Sequence, residues 1–368
     1  MNKHLCIFVL SIVLFINACT PTIIPTEITP SGVPTSQAPI EIPLKVGYGA
    51  NGGWYEVYFT DPANPFSSQG TGGADGPLVA AIDSARESVD VAAYSLSLNS
   101  VRNALIDAHQ RGVTVRMVME SDNMDSSDPQ KLIDAGIPVV GDLHVGLMHN
   151  KFMVIDHSEV WTGSMNYTDS GTYEDNNNLI RIQSSQIAEN YTREFEEMFT
   201  DDIFGPDKGH PTPNPLVRIE GTRLDNYFSP DDGTAKRITE LLNNASESIH
   251  FLAYSFTNDD FGQVLIQKAH NGLDVSGVMD AEQVKSNQGT EFDPLSQAGI
   301  DVRLDGNPGL MHHKVFIIDE KVVILGSYNF SYSAENTNDE NILIIFNPYI
   351  AQLYLQEFQR VYKKAHIP

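Results

Sequence analysis

Six residue types recur in one spacing at two places in the chain. His149, Lys151, Asp156, Gly163, Ser164 and Asn166 are spaced as are His312, Lys314, Asp319, Gly326, Ser327 and Asn329. On a strand, where side chains alternate, the His and the Lys of each set point to one face. Each Asn comes back on the far side of a hairpin and can reach that face. An imidazole, an ammonium and a carboxamide gathered in this way form a small site for an anion with two or more oxygens, with Ser164 and Ser327 as further phosphate-binding candidates. Two such clusters brought together would place two imidazoles around one phosphate. That suits two-step cleavage of a phosphodiester. One neutral imidazole attacks phosphorus and becomes a phosphohistidine. The other, protonated, gives its proton to the leaving alkoxide and then takes one from water. Imidazole titrates at about pH 6.5, so the two rings can hold opposite protonation states near neutrality. Lys151, Lys314, Asn166 and Asn329 would neutralise the charge that builds on the pentacoordinate transition state.

Each part alone has a plainer meaning. A lone His-x-Lys at a strand start is a solvated edge, and a lone Gly-Ser is a turn. Six positions recurring twice at matching places in a repeated unit set those meanings aside. Asp156 and Asp319 fall at hairpin turns and are expected to cap them, structural members of the motif like Gly163 and Gly326. Tyr94 and Tyr254 head apolar strands and are expected in the core or the wall of the site. The pairs His312-His313 and His144 with His149 lack a carboxylate or cysteine at ligand spacing, so neither a metal nor a cofactor is expected.

The elements that must position these residues are also written twice. Val89–Ser95 matches Ile249–Ser255 at an offset of 160. From Ala135-Gly136-Ile137 onward the offset is 163, through Tyr191, Glu194 and Phe195 against Tyr354, Glu357 and Phe358. This is one duplication of a unit of about 150 residues, not a solenoid with its period of about 20–50. In the first unit, 89–94 and 113–119 read as strands around a helix over 99–111. Strands 151–155 and 159–162 make a hairpin with a twin at 314–318 and 321–325. Closing helices are expected over 186–199 and 349–364. The alternation predicts an α/β fold in which each unit is a mixed sheet flanked by helices.

The chain has 368 residues, 41% of them hydrophobic, which excludes wholesale disorder. Its 23 Lys+Arg against 48 Asp+Glu give a net charge of −25, which argues against a dedicated nucleic-acid binder. A short basic start and an apolar run from Leu5 to Ile16 describe a secretory signal over 1–18. Cys19 follows Ile16-Asn17-Ala18 as in a bacterial lipoprotein box, so lipidation of its thiol is expected. Residues 19–44, rich in Pro and Thr, read as an extended tether. The first domain is placed at 45–205, a linker at 206–216 and the second domain at 217–368. The body is expected outside the cytoplasm, anchored to a membrane or secreted.

The doubled His-x-Lys-x(4)-Asp-x(6)-Gly-Ser-x-Asn pattern resembles the phospholipase D superfamily over nearly all of residues 45–368. The compact units look most like the small homodimeric bacterial nucleases of that superfamily, here fused into one chain. The resemblance implies two-fold packing of the halves, a shared site at their junction, no metal and a monomer that is an internal pseudo-dimer. It also implies an acidic partner about 28 residues after each motif His. Glu340 stands in that place after His312, whereas Asn177 holds it in the first unit. Family precedent pairs Glu340 with His149 as nucleophile and leaves His312 as general acid. The expected activity is phospholipid head-group cleavage, with an extracytoplasmic nuclease as the alternative and a phosphate-holding module disfavoured by the intact motifs. Residues 45–205 carry a net −15 and residues 206–368 a net −9, so neither half offers a polynucleotide a basic stripe.

Overall fold

A computed structural model describes Met1 and residues 38–367. The signal segment, Cys19 and the tether as far as residue 37 lie outside the described residues. Residues 38–367 belong to one compact body built on two sheets. In chain order the first sheet comprises β1 (Ile40–Pro43), β2 (Tyr48–Asn51), β3 (Tyr55–Phe59), β4 (Ser88–Ala93), β5 (Thr114–Glu120), β6 (Val139–Asp142), β7 (Lys151–Ile155), β8 (Glu159–Gly163) and β9 (Asn178–Gln183). The second comprises β10 (Leu216–Ile219), β11 (Thr222–Ser229), β12 (Ser248–Ala253), β13 (Asp274–Met279), β14 (Asp301–Leu304), β15 (Lys314–Ile318), β16 (Val322–Gly326) and β17 (Glu340–Phe346).

The spatial orders are β1-β2-β3-β9-β8-β7-β4-β5-β6 and β10-β11-β17-β16-β15-β12-β13-β14. Apart from β1 they are the same sheet made twice. Three strands at one end (β4, β5, β6 and likewise β12, β13, β14) run parallel, and the rest are antiparallel. The tether was expected to extend to residue 44. Instead Ile40–Pro43 pairs antiparallel with β2 as an edge strand, a place that tolerates Pro43 because one side of the strand needs no hydrogen bond.

The motif strands are buried along their whole length, as the apolar runs that follow each lysine (Phe-Met-Val-Ile, Val-Phe-Ile-Ile) require of strands covered on both faces. The cover comes from the closing helices, Ser185–Phe199 and Pro348–Tyr362, whose first turns are capped by the side chains of Ser184 and Asn347. Each also reaches the other half: the Tyr191 ring meets Phe228 at 5.0 Å and the Tyr354 ring meets Phe59 at 5.0 Å. One hydrophobic core therefore runs through both halves, joined by a second cluster inside the C-terminal half. The linker is part of the body as well. Gly205–Asp207 forms a 3₁₀ turn and Lys208 is buried. Among the described residues, no helix is long and apolar enough to cross a membrane.

Candidate active site

Just before β7 and β15 the chain leaves its own sheet and bridges to the other half. Met148 pairs with Asp339, and Met311 with Asn176. The His149 amide donates to the Asp339 carbonyl at 3.0 Å and the His312 amide to the Asn176 carbonyl at 2.9 Å. Each histidine is thus held against the residue that follows its bridge partner in the opposite half. His149 Nδ1 lies 2.8 Å from Glu340 Oε2. His312 Nδ1 lies 3.0 Å from Asn177 Oδ1 and 3.1 Å from the Ser164 carbonyl. Asn177 is oriented by its own contacts, since its Nδ2 donates to the Gly171 carbonyl and its Oδ1 accepts from Ser164 Oγ at 2.8 Å. Both histidines therefore carry hydrogen on Nδ1, and no described residue takes either Nε2.

The two lysines complete the cluster. Lys151 Nζ donates to the His149 carbonyl at 2.7 Å, and Lys314 Nζ to the His312 carbonyl at 2.8 Å. Lys151 lies over the Tyr94 ring at 5.1 Å and Lys314 over Tyr254 at 4.5 Å. The same rings stand edge-on to His149 (5.1 Å) and His312 (4.6 Å), so both tyrosines form the wall of the site. Burial depresses all four bases. It pushes His149 down to about 4 against the pull of Glu340, with Lys151 and Lys314 adding to the fall. It takes His312 well below its ordinary value, with both lysines and His149 contributing. Lys151 falls to about 7 through burial, and Lys314 falls well below the usual ammonium range through burial and Lys151. Glu340 stays below the ordinary carboxylate value: burial would raise it, and His149 and Lys151 outweigh that. Glu340 acts on His149 and both lysines, and Asp175 and Asp280 act on Lys314 as well, yet burial still leaves all four bases depressed. An anion bound between them would restore their protons.

Asn166 and Asn329 follow the two Gly-Ser pairs, each with its Oδ1 buried and without a partner among the described residues. The serines behave differently from the sequence expectation. Ser164 Oγ is saturated by Asn177 and Asn178, and Ser327 Oγ by Asn341 and Glu340. Both serines are fully buried, so instead of touching phosphate they brace the residue that partners the opposite histidine. Gly163 and Gly326 let this happen. Their φ values are 147° and 151°, and a Cβ at either would lie 2.4 or 2.1 Å from a β9 or β17 carbonyl. Asp156 and Asp319 fix the turns as expected: the Asp156 carboxylate accepts from the amides of Arg86, Glu87 and Ser88, and Asp319 from those of Ser246, Glu247 and Ser248. The histidines weighed for a metal point elsewhere. His313 bridges Glu357 and Asn178, and His144 stacks on Phe204.

Below the site lies a polar layer that the motif did not announce. Asn150 links Glu194 and Asn341, as His313 links Glu357 and Asn178, and Tyr191 and Tyr354 donate to Asn341 and Asn178. Lys208 closes the layer between Glu194 and Asp339. Burial raises the Glu194 carboxyl to about 8 even so. The repeat of Tyr191 and Glu194 at Tyr354 and Glu357 was the one signal in the sequence for this layer. Nothing there marked Lys208.

With this geometry established, comparison with known proteins places the chain. The family described as cardiolipin synthase, PLD-like domain, matches residues 78–199 and again 238–362. The chain belongs to the phospholipase D-like family and is a phosphodiesterase of that class. It is 37% identical over 143 residues to a phospholipase D of Rickettsia typhi, covering 39% of this chain and 70% of that protein. It is 29% identical over 160 residues to a mitochondrial cardiolipin hydrolase of Chlamydomonas reinhardtii, covering 44% and 71%. A phosphatidylserine synthase structure from Haemophilus influenzae shares the duplicated fold at TM-score 0.62 and 12% identity, over 85% of this chain and 87% of that one.

Proposed function

We propose that the protein removes head groups from phospholipids by a phospholipase D reaction through a phosphohistidine on His149. The observation that carries the role assignment is the difference between the two Nδ1 partners. Attack by His149 Nε2 on phosphorus leaves the ring cationic, with hydrogen on Nδ1 and phosphorus on Nε2. The Glu340 carboxylate 2.8 Å away is placed to balance that charge. His312 has to lose a proton from Nε2 to the leaving alkoxide, and an amide partner does not hold that proton back. In the second step His312 takes a proton from water, the oxygen attacks phosphorus, and His149 leaves as neutral imidazole. Lys151, Lys314, Asn166 and Asn329 hold the non-bridging oxygens.

The lipid reading draws on the net charge of −25 and on relatives named for phospholipase and cardiolipin hydrolase activity. A polynucleotide would approach against that charge. The N-terminal segment, with lipid on Cys19, would hold the body at a membrane outside the cytoplasm. Cys19→Ser would then release the protein from membranes or block its processing. The substrate is tested by choline or ethanolamine release from zwitterionic vesicles, compared with cleavage of single-stranded DNA at low and physiological salt. Head-group release is expected, with an acid-labile phosphoenzyme that is lost in His149→Ala. DNA cutting without head-group release would overturn it.

A further inference from the structure

The duplication supplies an internal control for the two rims of the site. In each half a five-residue loop runs into the motif histidine: Leu143-His144-Val145-Gly146-Leu147 in the first, Gly306-Asn307-Pro308-Gly309-Leu310 in the second. Both loops are seated alike. A Cβ at Gly146 would fall 2.0 Å from the Thr337 carbonyl, and one at Gly309 would fall 2.1 Å from the Glu174 carbonyl. The Leu147 and Leu310 amides are held by Asn338 and Asp175. The backbone thus asks nothing apolar of the tip, and the second loop meets it with Gly, Asn and Pro.

All three residues at the tip of the first loop are exposed. His144 stacks on Phe204 at 5.2 Å, while Leu143 and Val145 stand out, 91% and 79% exposed. The neighbouring helix Tyr332–Asn336 ends at Thr337, which covers Gly146, and it begins with Tyr332, 73% exposed, where the first half has Asp169. The first rim thus exposes Leu143, Val145 and Tyr332 where the second has Gly306, Pro308 and Asp169, its exposed apolar groups being Pro308 and, beside it, Phe66 at 47%. The loop ends two residues before His149 and is bonded to the segment that carries Glu340.

We infer that the Leu143–Val145 tip is an interfacial loop that seats in a zwitterionic phospholipid bilayer beside the active site. The inference rests on the lipid reading above and names how that site meets its substrate. A diester head group lies in the interface. A loop that enters the interface next to His149 brings the phosphate to the site without extracting the lipid. The rim's charge selects the surface: Asp202 lies 3.7 Å from His144, and Asp201 is exposed beside it, so anionic bilayers are repelled and the apolar tip supplies the adhesion.

The test uses the full chain reconstituted with phosphatidylcholine vesicles. Leu143→Trp places an indole at the tip, the native Trp54 and Trp161 being buried. Quenching of that indole by brominated phosphatidylcholine is expected, and absence of quenching overturns the inference. In the double variant Leu143→Asp/Val145→Asp, head-group release from vesicles should fall about 10-fold or more, while turnover of soluble bis(4-nitrophenyl) phosphate stays within about 2-fold of wild type. Unchanged vesicle turnover overturns the inference. So does sedimentation showing that the substitutions dissociate a dimer without changing vesicle turnover, because the tip would then be a contact between copies. If wild type turns over the soluble diester but releases no head group, the lipid reading fails, and the quenching still decides the loop.

Discussion

His149 and His312 differ in their Nδ1 partners, the carboxylate oxygen of Glu340 against the amide oxygen of Asn177 with the Ser164 carbonyl beside it. His149→Ala and His312→Ala should each lower turnover by at least about 10³-fold, because one removes the nucleophile and the other the acid. Excess EDTA should leave the rate unchanged; loss on chelation with recovery on adding zinc would contradict roles given wholly to side chains. Asn177→Asp keeps the shape and adds the charge. It should raise the pKa of His312, keep the acid protonated to higher pH, and move the basic limb of kcat/KM up by about one unit. The depressed bases give a further sign. Lys151 near 7 and His149 near 4 are largely unprotonated in the empty site at pH 8.5, and a bound anion raises both. Anion binding should therefore take up protons and strengthen as pH falls. Sulfate, whose charge is constant over the range, should bind more tightly at pH 6 than at pH 8.5 by calorimetry, with proton uptake read from buffers of different ionisation enthalpy.

At the scale of elements, the hairpins are set by their turns. Asp156 and His157, and Asp319 and Glu320, adopt φ values between 50° and 53°, and the aspartates tie each hairpin to the start of β4 or β12. Burial would raise Asp156, but the three amides hold it below its ordinary value. A depressed carboxyl contributes stability above its unfolded pKa of about 3.9 and loses it as pH falls through the folded value. Asp156→Ala should cost about 1–3 kcal/mol in urea unfolding at pH 7, and less at pH 3. Activity of the folded fraction should persist, since the turn lies at the far end of β7 from His149. An equal loss at both pH values would show that the carboxylate charge contributes nothing.

At the scale of the molecule, the halves are inseparable. Glu340 serves His149 and Asn177 serves His312, one core runs through both sheets, and Lys208 carries a buried ammonium from the linker to Glu194 in one half and Asp339 in the other. Lys208→Met would remove the cation that Glu194, already pushed up to about 8 by burial, shares with Asp339, and should cost about 3 kcal/mol, read as a lowered melting temperature. Because the Asp339 carbonyl holds the His149 amide, activity should fall with it. An unchanged melt would show that the buried ammonium contributes nothing to stability.

The motif's chemistry was legible in residue types and spacing. His and Lys two residues apart, with Asn returned across a hairpin, define an anion site, and the repeat of the spacing predicts two of them. The strands of the motif, the closing helices and the turn-capping aspartates were legible for the same local reason, since hydrophobic period and turn chemistry are short-range properties. Tertiary structure decided what depends on the other half. Ser164 and Ser327 look like phosphate ligands in sequence, but buried against Asn177 and Glu340 they can only brace. Ile40–Pro43 looks like tether, but β2 offers it an open edge. Lys208 looks like any linker cation until Glu194 and Asp339 close around it. Depressed bases, shared core and crossed histidine partners all arise from burial and from pairing across 135 and 191 residues of chain, which no local pattern encodes.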